Sequence, residues 1–134
     1  MKKISFLLVV LMVVLAGCDK EVDVRYDYYT VETGEATDVT ETSAEIPCRM
    51  IANNVPDTDR RHFAVMMSER ADQVTDAHAT FVKTTEVDSQ GNFNVHLGSL
   101  THGITYYYRA YVYYRSKYYY GEVKQFHTEG DEPL

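Results

Sequence analysis

Basic residues are scarce in this chain: 13 Lys and Arg stand against 20 Asp and Glu, for a net charge of −7 over 134 residues. That deficit argues against a nucleic-acid partner, because clustered Lys and Arg supply most of the affinity for phosphate backbones. Metal-ligand spacing is missing too. His62, His78, His96, His102 and His127 form no H-x-x-x-H pair, and a metal needs three or four converging ligands. Asp57-Thr58-Asp59 lacks the glycine and the distal glutamate of a calcium loop. No Ser-His-Asp pattern rises above chance. No cofactor is expected and no catalytic residue is assigned. No internal repeat and no sustained helical period is visible, which leaves β structure as the alternative.

The one long apolar run lies at the N-terminus. Lys2 and Lys3 precede a nearly unbroken apolar stretch from Ile4 to Leu15, followed by Ala16, Gly17 and Cys18. The run is shorter than the about 20 residues a comfortable span needs, and its charged start and small-residue end are those of an export signal. Leu15-Ala16-Gly17-Cys18 resembles a bacterial lipobox. The resemblance implies that residues 1–17 are removed and that Cys18 is acylated, becoming the mature N-terminus. Removing 17 of the 134 residues leaves 117, enough for one domain with an ordinary core. Lys2 and Lys3 leave with the signal, so 11 Lys and Arg then face 20 Asp and Glu and the net charge falls to −9. A surface this acidic is repelled by anionic lipid head groups, so the lipid on Cys18 is the expected link to the membrane. Residues 18–27 are polar and charged and read as a tether. Asp19, Glu21 and Asp23 follow the lipidated position. One bacterial sorting rule reads Asp19 as inner-membrane retention, and another reads such acidic residues as a surface-export signal. The resemblance described below favours the second group, which implies an outer-membrane anchor on the cell-surface or periplasmic face.

From Tyr28 onward the chain reads as strands. Tyr28–Thr33 is rich in β-formers, and Gly34–Asp38 is turn-like. In Ser43–Ala52, Ala44, Ile46, Cys48, Met50 and Ala52 share one parity, the signature of a half-buried strand. Cys48 thereby falls on the core face as a small hydrophobe, and with Cys18 acylated it has no disulfide partner. Asn53 to Asp59 is a loop by composition. His62–Ser68 places Phe63, Val65 and Met67 on one side. Glu69–Ala79 has no β signature and suits one or two helical turns. Thr80–Val87 is a further strand. After a turn at Asp88–Asn92, Phe93, Val95 and Leu97 alternate with polar residues. Ile104–Arg115 and Lys117–Thr128 are two long strands, and residues 129–134 form an acidic tail. About seven strands with regular turn signals predict an antiparallel immunoglobulin-like β-sandwich.

Leu100-Thr101-His102-Gly103-Ile104-Thr105-Tyr106 resembles the L-x-P-G-T-x-Y stretch of fibronectin type III domains, departing from it at His102 and Ile104. Asp38 to Ala44 resembles the entry to that family's second strand. Phe63 to Ser68 loosely resembles its third, and Tyr120-Gly121-Glu122-Val123 with Phe126-His127-Thr128 resembles its ending in certain bacterial lipoproteins. The resemblance covers residues 28–128. It implies that Tyr106 is the tyrosine corner, its ring buried and its hydroxyl bonded to backbone a few residues upstream. It implies no activity, since this fold hosts many. A small sandwich also has little room for the pocket that a pair of catalytic carboxylates requires.

Nine of the twelve tyrosines lie between Tyr106 and Tyr120. Tyr106, Tyr108, Ala110 and Val112 share the core parity. Tyr107, Arg109, Tyr111 and Tyr113 share the other and are expected to face solvent, beside Ala64 and Met66 of a neighbouring strand. On that expectation Tyr111→Ala would spare the fold. Tyr and Arg are favoured at binding hot spots, and rings also stack on sugars, so these four residues are the candidate ligand face for a glycan or an envelope protein. Cross-strand tyrosines that merely stabilise the sheet are the competing explanation. The expected function is a non-enzymatic, lipid-anchored binding, adhesion or accessory module. The alternative is a spacer or subunit without a ligand of its own, docked into a larger envelope assembly through a strand edge. Cys18→Ala is expected to release a folded domain into the soluble fraction on cell fractionation; a chain that stays with the membrane would refute anchoring through Cys18.

Overall fold

The computed structural model describes residues 27–56, 61–84 and 86–134. The expected signal segment, Cys18 and the tether up to Tyr26 lie outside the described residues, as does Asp57-Thr58-Asp59. Eight strands follow in order: β1 Tyr28–Thr33, β2 Ala44–Asn53, β3 His62–Ser68, β4 Thr80–Thr84, β5 Asn92–Leu97, β6 Thr105–Tyr114, β7 Lys117–Tyr120 and β8 Lys124–His127. All pairings are antiparallel. β1, β2 and β5 form one sheet. β4, β3 and β6 form the other, and β7 and β8 pair in succession along the remaining side of β6. This is the fibronectin type III-like sandwich that the strand spacing and motifs imply, with β4 on the edge of the larger sheet.

Alternation builds the core. In the smaller sheet Ala44, Ile46 and Cys48 of β2 stand opposite Leu97, Val95 and Phe93 of β5. In the larger sheet Phe63 and Val65 of β3 stand opposite Val112 and Ala110 of β6. These residues form one buried cluster with Tyr106, Tyr108 and Phe126. Each fully buried large apolar side chain contributes about 1.5–3 kcal/mol. Cys48 lies in this cluster, as its parity indicates, and burial pushes its thiol up to about 12. Such a group is an unreactive hydrophobe at neutral pH. The alternation fails at Ala52, which is exposed because β5 reaches only as far as Arg49 along β2.

The expected strand Lys117–Thr128 is broken into β7 and β8. Gly121 lies at the break. A Cβ there would fall 2.3 Å from the Thr33 hydroxyl and 2.9 Å from its backbone nitrogen. Only glycine permits this approach of β1, and the Gly121 amide still bonds the Ala110 carbonyl at 2.9 Å. The β6–β7 connection is a two-residue turn at Arg115 and Ser116, with φ of 49° and 61°. Positive φ at both positions suits the twist of a hairpin, although Asn-Gly is the usual choice. Arg115 also donates to the Asp27 carboxylate at 2.5 Å and lies 5.1 Å from the centre of the Tyr114 ring. The start of the domain is therefore fastened to this hairpin.

The tyrosine corner is present. The Thr101 amide donates to the Tyr106 hydroxyl at 2.8 Å, and the Tyr106 ring stacks on Phe126 at 5.6 Å. Beside it the fully buried Thr128 hydroxyl donates to the Thr101 carbonyl at 2.7 Å and accepts from the Ile104 amide at 2.9 Å. Tyr106→Phe leaves the Thr101 amide without its acceptor. It is expected to cost about 1–3 kcal/mol in chemical denaturation; a loss near zero would show that water replaces the hydroxyl.

Candidate ligand face

Register sets out the outer face of the larger sheet in rows. Phe81, Met66 and Arg109 form one row, and Lys83, Ala64, Tyr111 and Tyr120 the next. His62, Tyr113 and Tyr118 form the third. The short side chain of Ala64, flanked in register by Lys83 and Tyr111, leaves the space in which Phe81 and Tyr111 meet edge to face at 5.1 Å. The segment between β3 and β4 partly closes this face. It makes a short 3-10 turn at Ala71–Gln73 and a second turn in which the amides of His78 and Ala79 bond the Thr75 carbonyl. Helical turns are thus present where β signature is lacking. Val74 from this segment joins Ala64, Met66 and Tyr111 in a second buried apolar cluster.

This covering overturns one expectation. Tyr111 does not face solvent; it is 2% exposed. Its outward parity is correct, but Val74, Phe81 and Tyr118 pack over it. Burial, with Tyr118 adding to it, pushes its hydroxyl up to about 12. Arg109 is also tied down. Its guanidinium donates twice to the Gly121 carbonyl, at 3.1 and 2.9 Å, and lies 4.4 Å from the centre of the Tyr120 ring. Arg109 closes the break between β7 and β8 and lies over the sheet instead of projecting as a free anchor. Burial lowers its pKa, and Tyr120 raises it in part. Tyr107 stands opposite Ser68, away from Tyr113 and half-buried at the border of the second cluster.

Tyr111 and Tyr113 are brought together, in a shallow cleft of about 520 Å³ completed by His62, Asp76, Phe81, Lys83 and Tyr118. A cleft of this size lies within the range of small-ligand sites. Tyr118 and Tyr113 are 4.6 Å apart between ring centres. On the other side Tyr118 lies parallel to Tyr120, at 5.7 Å with planes 4° apart. The Tyr120 hydroxyl has a raised pKa, first through burial and then through the Asp76 carboxylate. Hydroxyls so shifted stay protonated at neutral pH and both donate and accept. Sequence reasoning missed Phe81, Lys83, Tyr118, Tyr120, His62 and Asp76 as members of this face. Parity within β4 and β7 carried the signal, but using it requires knowing which strands flank β3 and β6.

No protein-family model and no curated protein matches the chain. Solved structures do. A shorter form of the sensor domain of the anti-sigma factor RsgI4 in Pseudobacteroides cellulosolvens superposes with a TM-score of 0.58 at 16% identity, covering 75% of this chain and 94% of that one. A longer form of the same sensor domain gives 0.56 at 16% identity, covering 80% and 95%. A fibronectin type III domain derived from human KIAA0970 protein gives 0.49 at 17% identity, covering 78% and 76%. The two sensor-domain likenesses establish a shared β-sandwich fold.

The two kinds of tyrosine on this face separate by mutation. Tyr111→Ala is expected to lose about 3–5 kcal/mol, as for a buried aromatic. The exposed Tyr120→Ala is expected to lose under about 1 kcal/mol. Equal losses in urea titrations would contradict the assignment of Tyr111 to a buried cluster.

Proposed function

We propose that this chain is a non-enzymatic, lipid-anchored binding module of the cell envelope, which receives its ligand on the outer face of its larger sheet. The observation that carries this reading is the cleft bordered by Tyr113 and Tyr118 and continued by the exposed Tyr120. These rings lie outside the core between the sheets. Rigid aromatic side chains bury much area on binding at low entropic cost. The likeness to a sensor domain supports a receiving role. The lipobox-like motif ending at Cys18 supports the anchor. Asp27 is fastened to the β6–β7 hairpin, so a tether from Cys18 would join the domain at the end where His62, Tyr113 and Tyr118 lie. Nine residues reach about 30 Å at most, which would hold the cleft near the bilayer. The outer membrane is the proposed site.

The second reading, a spacer docked through a strand edge, draws on β4. It pairs only with β3 among the described strands, leaving one row of backbone groups open to an added strand. Immobilised lipid-free domain exposed separately to envelope polysaccharide and envelope protein distinguishes the two. The binding reading expects a retained species that is lost in the Tyr118→Ala/Tyr120→Ala double variant, assayed below its melting transition because Tyr118 also packs on the Tyr111 cluster. Retention that survives this variant but is lost with proline substitutions in β4 would replace it with the spacer.

A further inference from the structure

The chemistry of the cleft narrows its ligand, given the binding reading above. Three polar side chains converge on it from three segments: His62 at the start of β3, Asp76 in the covering segment and Lys83 in β4. Among the described residues, none of the three makes a side-chain hydrogen bond or ion pair to the protein. The core-side tyrosines differ: Tyr106 and Tyr108 each spend their hydroxyl on a backbone partner. Polar groups at the rim of an aromatic cleft, without partners among the described residues, are available to a ligand.

Their balance is informative. One carboxylate, one ammonium and one imidazole supply acceptors and donors together, with the tyrosine hydroxyls adding both. A strongly anionic ligand would meet Asp76 inside the cleft and the net negative charge of the chain. A cationic one would meet Lys83. A purely apolar ligand would strip water from all three groups without replacing the lost hydrogen bonds, at a cost for each. A pyranose ring matches the arrangement. Its axial C–H face is apolar and packs on an aromatic ring, while its equatorial hydroxyls each donate and accept. The parallel Tyr118 and Tyr120 rings, 5.7 Å apart, extend the aromatic surface out of the cleft in one direction. A second sugar unit would lie there, towards the Arg109 guanidinium stacked on Tyr120.

We infer that the cleft between β4, β3, β6 and β7 is a subsite for an uncharged sugar unit of a glycan chain. Tyr113 and Tyr118 provide the stacking rings, and His62, Asp76 and Lys83 bind the hydroxyls.

The test is calorimetric titration of the full chain, held in a detergent without a sugar head group. The titrants are neutral gluco-, manno- and xylo-oligosaccharides, with oligogalacturonates as the acidic counterpart. At least one neutral series is expected to bind, with affinity reduced tenfold or more by Tyr118→Ala and by Asp76→Asn. Tyr118→Phe keeps the ring and is expected to retain binding within about threefold, and a native circular-dichroism spectrum of Tyr118→Ala at the titration temperature separates loss of stacking from loss of folding. No binding of any neutral oligosaccharide, tighter binding of the acidic series, or indifference to Tyr118→Ala would each overturn the assignment. If the neutral sugars fail while the same face still retains an envelope protein in a Tyr118-dependent way, the saccharide subsite falls and the binding module stands. If both fail, both fall.

Discussion

Strand β6 has to satisfy two packing faces at once. Its inward residues Tyr106, Tyr108, Ala110 and Val112 close the space between the sheets, and its outward residue Tyr111 anchors a second apolar cluster. A one-residue slip would exchange the two sets and drive Arg109 into the core. The strand meets this double demand with tyrosine. A ring fills the space, and its hydroxyl reaches past the apolar layer to a backbone partner. Tyr106 accepts from the Thr101 amide, and Tyr108 donates to the Gly34 carbonyl at 2.8 Å. The Tyr108 hydroxyl is pushed up to about 12, chiefly by burial, so it stays protonated and keeps donating at neutral pH. Tyr114 departs from the pattern: its buried hydroxyl has no partner among the described residues, and its ring is wedged edge-on against Tyr29 at 5.6 Å.

The outer face of the larger sheet follows from the same strand. Tyr111 needs cover, and the segment from Glu69 to Ala79 provides it through Val74. Cover on one side and the raised rings of β7 on the other leave the cleft between them. The tyrosines of this face therefore divide by depth. Tyr111 holds the sheet and the covering segment together, whereas Tyr118 and Tyr120 present ring surface to the outside. The tyrosine cluster thus combines buried structural rings with accessible ring surface, on adjacent rows of one face.

Much of this architecture was legible from local pattern. The parity of β2, β3, β5 and β6 assigned their core residues, because the side-chain period of a strand is two. It also placed Cys48 in the interior, while the resemblance of Leu100–Tyr106 to fibronectin type III domains implied Tyr106 at the corner. The break at Gly121 was not legible, since it arises from the approach of Thr33, more than eighty residues earlier in the chain. Arg109 looked like a free hot-spot residue for the same reason: its carbonyl partner exists only because of that break. The burial of Tyr111 was equally hidden, because parity says which way a side chain points and not what lies over it.

The sequence by itself therefore determined the fold class and the two faces of the long strands β2 and β6. These are properties of short windows, where periodicity and motif are complete within a few residues. Only the tertiary structure decided which outward residues are covered, which arginine is spent on backbone, and that His62, Asp76 and Lys83 meet beside the rings. Strand order and the path of a connecting segment depend on contacts between distant parts of the chain, and no local pattern encodes the partner on the neighbouring strand.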